Sequence, residues 1–263
     1  ADADKKSNTT GSQTISNLIF GSATEVKDTN LNDVQYSKLS GALCFEGLVR
    51  LSPSGAHVPE LAKSWQVSSD LKKWTFYLQD NATWSDGKPV TSADVKFTLE
   101  NLAITPVRKI HTSNIIASVD APDTHTVIIN LNKSSSDLLS TIDVIKVLPE
   151  HIYKDIKDVN TFDSKEASIG SGPYMYDHFD KDAGLIVFVA TENYWNGKPP
   201  IGTIEYKMYK SMDTVIQALL KGEIDVPAST INYYHVPEIV KNNDLALLKG
   251  EIDVPASTIN YYH

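Results

Sequence analysis

At 263 residues the chain can hold one large domain or two modest ones, and 41% hydrophobic with 22% charged residues is an ordinary balance for a packed globular protein. A net charge of −9, with basic residues placed singly or in pairs such as Lys72-Lys73, speaks against a nucleic-acid surface, because phosphate binding needs clustered lysine and arginine. The single cysteine, Cys44, excludes an internal disulfide, and no window approaches the ~18 apolar residues of a membrane span.

Residues 1–14, "ADADKKSNTTGSQT", are small, polar and without periodicity, and read as a flexible leader. That suits a mature exported protein, tethered to a membrane through its N-terminus. "TISNLIFGS" is the first ordered element, followed by the polar loop "ATEVKDTNLND". In "VQYSKLSGALCFEGLV", Val34, Leu39, Leu43, Phe45 and Leu48 recur at roughly helical spacing, which predicts helix, with "GLVRLS" as strand and Cys44 as a buried core thiol. "SPSG" is a turn. "KKWTFYLQ" alternates and is rich in aromatic residues, which predicts a strand.

In "SDGKPVTSADVKFTLENL", Asp86-Gly87 turns the chain and Pro89 ends the extended piece. Thr91 or Ser92 caps a helix whose apolar face is Val95, Leu99 and Leu102, with Asp94 near its positive end. "NIIASVDAPDTHTVIINL" has the pattern of a hairpin with "DAPD" as the joint. Short helices are predicted at "SSSDLLSTI" and "PEHIYKDI", the latter with Pro149 in its first turn. "GSGPYMYDHF" and "AGLIVFVATENYW" form a strand pair, and "TIEYKMYK" a further extended piece. "SMDTVIQALLKGEIDV" is a helix stopped by Gly222 and then a short strand. The fold class is therefore mixed α/β with a largely antiparallel or mixed sheet, not a doubly wound dinucleotide fold.

No catalytic pattern stands out: there is no G-x-S-x-G, H-E-x-x-H or P-loop, and the carboxylates are scattered, so no enzyme and no cofactor is expected. His57, His111, His125, His151, His178, His235 and His263 form no H-x-H or i,i+4 pair of the kind that builds a metal site.

Taken in order, "FEGLVRLSPSGAHVPELAKSWQVSSDLKKWTFYLQDNATWSDGKPVTSADVKFTLENL" (45–102), "GSGPYMYDHF" (170–179) and "ENYWNGKPPIGTIEYKMYKSMDTVIQALLKGEIDV" (192–226) resemble the solute-binding proteins of ABC importers for oligopeptides, dipeptides and nickel complexes. The resemblance runs from about 15 to 240. It implies the N-terminal lobe of a two-lobed, periplasmic-binding-protein-like clamp, with 1–14 as leader, 15–240 as a lobe of two subdomains (the inserted one about 50–165), and a second lobe absent. It further implies an extracytoplasmic solute-capture component, periplasmic or a cell-surface lipoprotein. Its ligand is a small peptide or metal chelate and its partner an ABC permease. Two cleft-facing regions are implied as ligand-binding: Ser22, Ala23, Thr24 and Glu25 after the first strand, and Tyr233, Tyr234 and His235, whose rings offer stacking area at low entropic cost. The alternative is an isolated lobe that self-associates through an exposed cleft face as a protein–protein interaction module.

"ALLKGEIDVPASTINYYH" occurs at 218–235 and again, unchanged, at 246–263. Solenoid repeats drift in sequence and need at least three copies to bury a core. Two identical copies instead suggest a recent or artificial duplication, so 241–263 is expected to be a duplicated tail. The upstream "SMDTVIQ" is not copied, and Leu245 stands where Gln217 stands in the first copy. A chain with one lobe of the clamp is expected to bind solute weakly or not at all.

Overall fold

A computed structural model of the chain describes residues 15–23, 38–101, 115–156, 162, 164–228 and 239. In chain order the elements are β1 (Ile15–Ser22), α1 (Lys38–Cys44), β2 (Val49–Leu51), β3 (His57–Pro59), β4 (Ala62–Val67), β5 (Lys73–Leu78), α2 (Ser92–Glu100), β6 (Ile116–Asp123) and β7 (Thr126–Leu131). There follow α3 (Leu138–Ile142), α4 (Glu150–Tyr153), a 3-10 turn (Lys165–Ser168), β8 (Tyr174–Asp180), β9 (Leu185–Ala190), β10 (Ile201–Met208), α5 (Met212–Leu220) and β11 (Val226–Pro227). A five-stranded sheet runs β11-β1-β10-β9-β8, a four-stranded sheet runs β4-β5-β7-β6, and β2 pairs with β3. Among the described residues only β1 pairs in parallel, with β10 and β11; the other pairings are antiparallel. The fold class is mixed α/β, as the alternation of patterns implied.

The four-stranded sheet follows from period-two patterning. In β5, Trp74, Phe76 and Leu78 are buried while Lys73, Thr75 and Tyr77 face outward. In β7, Val127, Ile129 and Leu131 take the same side, with Trp74 opposite Ile129 and Phe76 opposite Val127. Period-two side chains on one face make such cross-strand pairs the unit of sheet stability. Helix α2 covers this face through Val95 and Leu99. Its cap is the one expected: Asp94 reaches back to accept the Thr91 backbone N–H at 2.8 Å. The other oxygen of Asp94 accepts the Glu150 N–H at 2.9 Å, which joins the starts of α2 and α4. Leu102 lies outside the described residues.

Two local expectations shift. The hairpin turns at Thr124 and His125, not at "DAPD": β6 continues through Asp123, which pairs with Thr126, and the ladder is irregular between Asp120 and Asp123. Pro122 has no N–H to give the ladder, so it is tolerated at an irregularity. Pro149 is the N-cap of α4 and not part of its first turn.

The link 45–48 carries the chain from one core to the other, with Phe45 in the core beneath the five-stranded sheet and Leu48 in that of the four-stranded sheet. Between them Glu46 is buried, and both its carboxylate oxygens are occupied. Tyr194 Oη donates to Oε1 at 2.5 Å and Trp195 Nε1 to Oε2 at 2.7 Å. The "FEG" and "NYW" motifs are thus two halves of one joint. The "GSG" motif serves the same region. A Cβ on Gly170 or Gly172 would run into the Cys44 or Leu43 carbonyl, and the Gly172 N–H donates to the Cys44 carbonyl at 2.9 Å. Cys44 is buried as expected, and burial pushes its thiol up to about 12.

Candidate functional site

The parallel strands end together. Ser22, at the end of β1, lies opposite Met208 at the end of β10, and Gly21 lies opposite Pro227 in β11. In open sheets the carboxyl ends of parallel strands are where ligands bind, because connecting loops leave there and their backbone groups are not consumed by the ladder. This edge is fixed by the sequence around β11. The Asp225 N–H donates to the Ile19 carbonyl at 2.8 Å, the Asp225 carboxylate accepts the Ile19 N–H at 2.8 Å, and the Ala228 N–H donates to the Gly21 carbonyl at 2.7 Å. On the other side the Tyr209 N–H donates to the Ser22 carbonyl at 2.8 Å.

Gly21 is required here. A Cβ at this position would collide with the Ile224 Cδ1 and stand 3.3 Å from Val215 Cγ1 and 3.4 Å from Tyr209 Cε2. Ile224, Val215, Ala218 and Leu219 form a small apolar core that pins α5 and β11 to the back of β1, with Ala23 and Tyr209 packed at its margin. Helix α5 is capped by Ser211, whose hydroxyl accepts the Thr214 N–H, and ends before Gly222, which takes φ 71°.

Of the residues nominated from the sequence, Ser22 is buried and Ala23 half-buried on this edge. Thr24, Glu25, Tyr233, Tyr234 and His235 lie outside the described residues. What the structure does bring together is the strand ends from which the two nominated segments depart. Two residues at the edge were not anticipated. Tyr209 has a buried hydroxyl with no hydrogen-bond partner among the described residues, and Lys207 holds its ammonium 5.8 Å from the Tyr209 ring centroid. "TIEYKMYK" reads as an alternating strand. The signal available was its position just before a Ser-capped helix, which marks the carboxyl end of a parallel strand. Among the described residues no three His, Cys, Asp or Glu side chains converge. The edge is built of paired backbone groups and small side chains, with the buried phenol of Tyr209 and the ammonium of Lys207 beside it.

Comparison with known proteins settles the lineage. Residues 56–262 match the family described as bacterial extracellular solute-binding proteins, family 5 Middle. The chain belongs to this family. It is 30% identical over 190 residues to the nickel-binding periplasmic protein of Escherichia coli, a match covering 70% of this chain and 36% of that protein. It is 31% identical over 172 residues to a Brucella ovis protein named for peptide binding by an ABC transporter, covering 64% of this chain and 32% of that one. The chain thus spans about a third of the length of the curated relatives it matches. The structure of NikZ from Campylobacter jejuni, solved in complex with Ni(L-His), superimposes with a TM-score of 0.72 at 26% identity, covering 87% of this chain and 45% of NikZ. The mixed α/β fold is accordingly that of periplasmic-binding proteins, over less than half of the matched structure.

Proposed function

We propose that this family 5 chain supplies one lobe of the solute-capture component of an ABC importer, outside the cytoplasm, for small peptides or nickel-type chelates. In this reading 15–240 is the lobe and about 50–165 its inserted subdomain, supported by the self-contained four-stranded sheet at 62–131. Residues 1–14 are a leader that tethers the protein at the cell surface, and 241–263 a duplicated tail. The observation that carries the reading is the shared carboxyl edge of β1, β10 and β11, on which Ser22, Ala23, Tyr209 and Ala228 stand side by side. In this reading Thr24 and Glu25, which follow β1 in the sequence, and Tyr233, Tyr234 and His235, which follow β11, add ligand contacts.

The mechanism is capture without chemistry. A ligand held between two walls favours the closed form by its differential affinity for it, and the closed form is what docks on a permease. Self-association through an apolar face draws little support. Val67, at 43% exposure on β4, is the one large hydrophobic side chain exposed among the described residues, and it is not on the β1 edge.

Amide-resolved NMR titration of the chain with a short-peptide mixture, and separately with nickel–histidine, tests the placement even for weak binding. Shifts are expected to concentrate at Ser22, Ala23, Tyr209 and Ala228 with one of the two ligands. Shifts concentrated on the four-stranded sheet would overturn it.

A further inference from the structure

We propose that Glu46 and Glu60 form a proton-responsive joint between the two sheets, which is more stable with one proton shared by the pair than with both carboxylates ionised. Four segments meet at Glu46. Besides the two donors on its carboxylate, its backbone N–H donates to Ser171 Oγ at 3.1 Å, its carbonyl accepts the Val147 N–H at 2.9 Å, and Trp195 Nε1 also reaches the Ser171 carbonyl at 3.2 Å. Glu60 approaches the same link from the loop before β4, accepting the Gly47 N–H at 2.7 Å.

The charged and titratable groups facing this pair are few. Lys146 Nζ stands 3.8 Å from Glu60 Oε2, Arg50 acts on Glu60, and Tyr194 faces Glu46 with a phenol that burial and Glu46 hold well above the ordinary range. Two ionised carboxylates in a nearly dry site have one lysine in ion-pair range, with Arg50 acting on Glu60 alone, and burial disfavours the doubly charged form. Burial first, and the neighbouring charge of Glu60 second, push Glu46 up to about 7 against the pull of Tyr194 and Trp195. Burial likewise raises Glu60, opposed by Lys146. The proton belongs to the pair. A proton on Glu46 Oε1 reverses the hydrogen bond, so that the carboxylic acid donates to Tyr194 Oη while Trp195 still donates to Oε2. The geometry persists, and the like-charge repulsion ends.

The sign follows from linkage. A carboxyl whose folded pKa exceeds its unfolded value binds more protons folded than unfolded between those values, so stability falls as pH rises from about 4.5 to about 7 and stays lower above. Thermal melts of the wild-type chain and of Glu46→Gln, compared at about pH 5 and about pH 8, read this out. Glutamine mimics the neutral acid, so Glu46→Gln should match wild type at the acidic end and melt about 5 °C above it at the alkaline end. Parallel pH profiles, or a variant melting below wild type at the alkaline end, would overturn the proposal. Should the variant fail to fold, the 13C carboxyl resonance of Glu46 in the wild-type chain decides. A midpoint near neutrality supports the joint, and one in the ordinary carboxylate range refutes it.

Discussion

Gly21 shows how little room one residue has at the edge of β1. With Ile224, Val215 and Tyr209 around it, any side chain there forces α5 and β11 away from the strand. Gly21→Val is expected to cost about 1–3 kcal/mol in urea denaturation, the range of overpacked cores, and Ile224→Ala in the same chain should recover part of the loss. A Gly21→Val chain as stable as wild type would mean that β11 is not seated as described. At this scale the ordered element that ends at Ser22 was legible, because "TISNLIFGS" is an apolar run written locally in the sequence. Tyr209 was not, because its place depends on which strand lies beside β10, a long-range fact that alternation within "TIEYKMYK" does not contain.

Elements were the most readable level. The alternation of Trp74, Phe76 and Leu78, and the capping of α2 at Thr91, are local physics and needed no partner to be recognised. The turn at Thr124 and His125 was misplaced for the opposite reason. Asp-Ala-Pro-Asp has turn propensity, but pairing of Asp123 with Thr126 keeps it in the strand. The duplicated segment is also decided between elements. Just before the first copy Val215 and Ile216 are fully buried, each worth roughly 1.5–3 kcal/mol of burial, whereas Asn243 and Asp244 hold the corresponding positions before the second copy. The sequence before the second copy therefore lacks the apolar pair that precedes the first. Ile224→Asp should destabilise the chain by at least about 3 kcal/mol, since it places a charge in a site 2% exposed. Ile252→Asp, the same change in the second copy, should leave the melting temperature unchanged. Equal effects from both would show that the copies are structurally equivalent.

For the whole molecule, the family was legible from motifs that build scaffold: "FEG" and "NYW" meet at Glu46, and "GSG" docks on the end of α1. The solute was not legible, because under the proposed function a wall of backbone groups and small side chains would accept many ligands and discrimination would depend on what faces it. One wall also gives little affinity. Binding must overcome several kcal/mol of lost translational and rotational freedom before any complex is seen, and a single surface buries too little of a small ligand to do so. Isothermal titration calorimetry of the 263-residue chain with di- and tripeptide pools and with nickel–histidine measures this directly. The account predicts dissociation constants no tighter than about 1 mM, near −4 kcal/mol. Saturable micromolar binding to these 263 residues alone would contradict it.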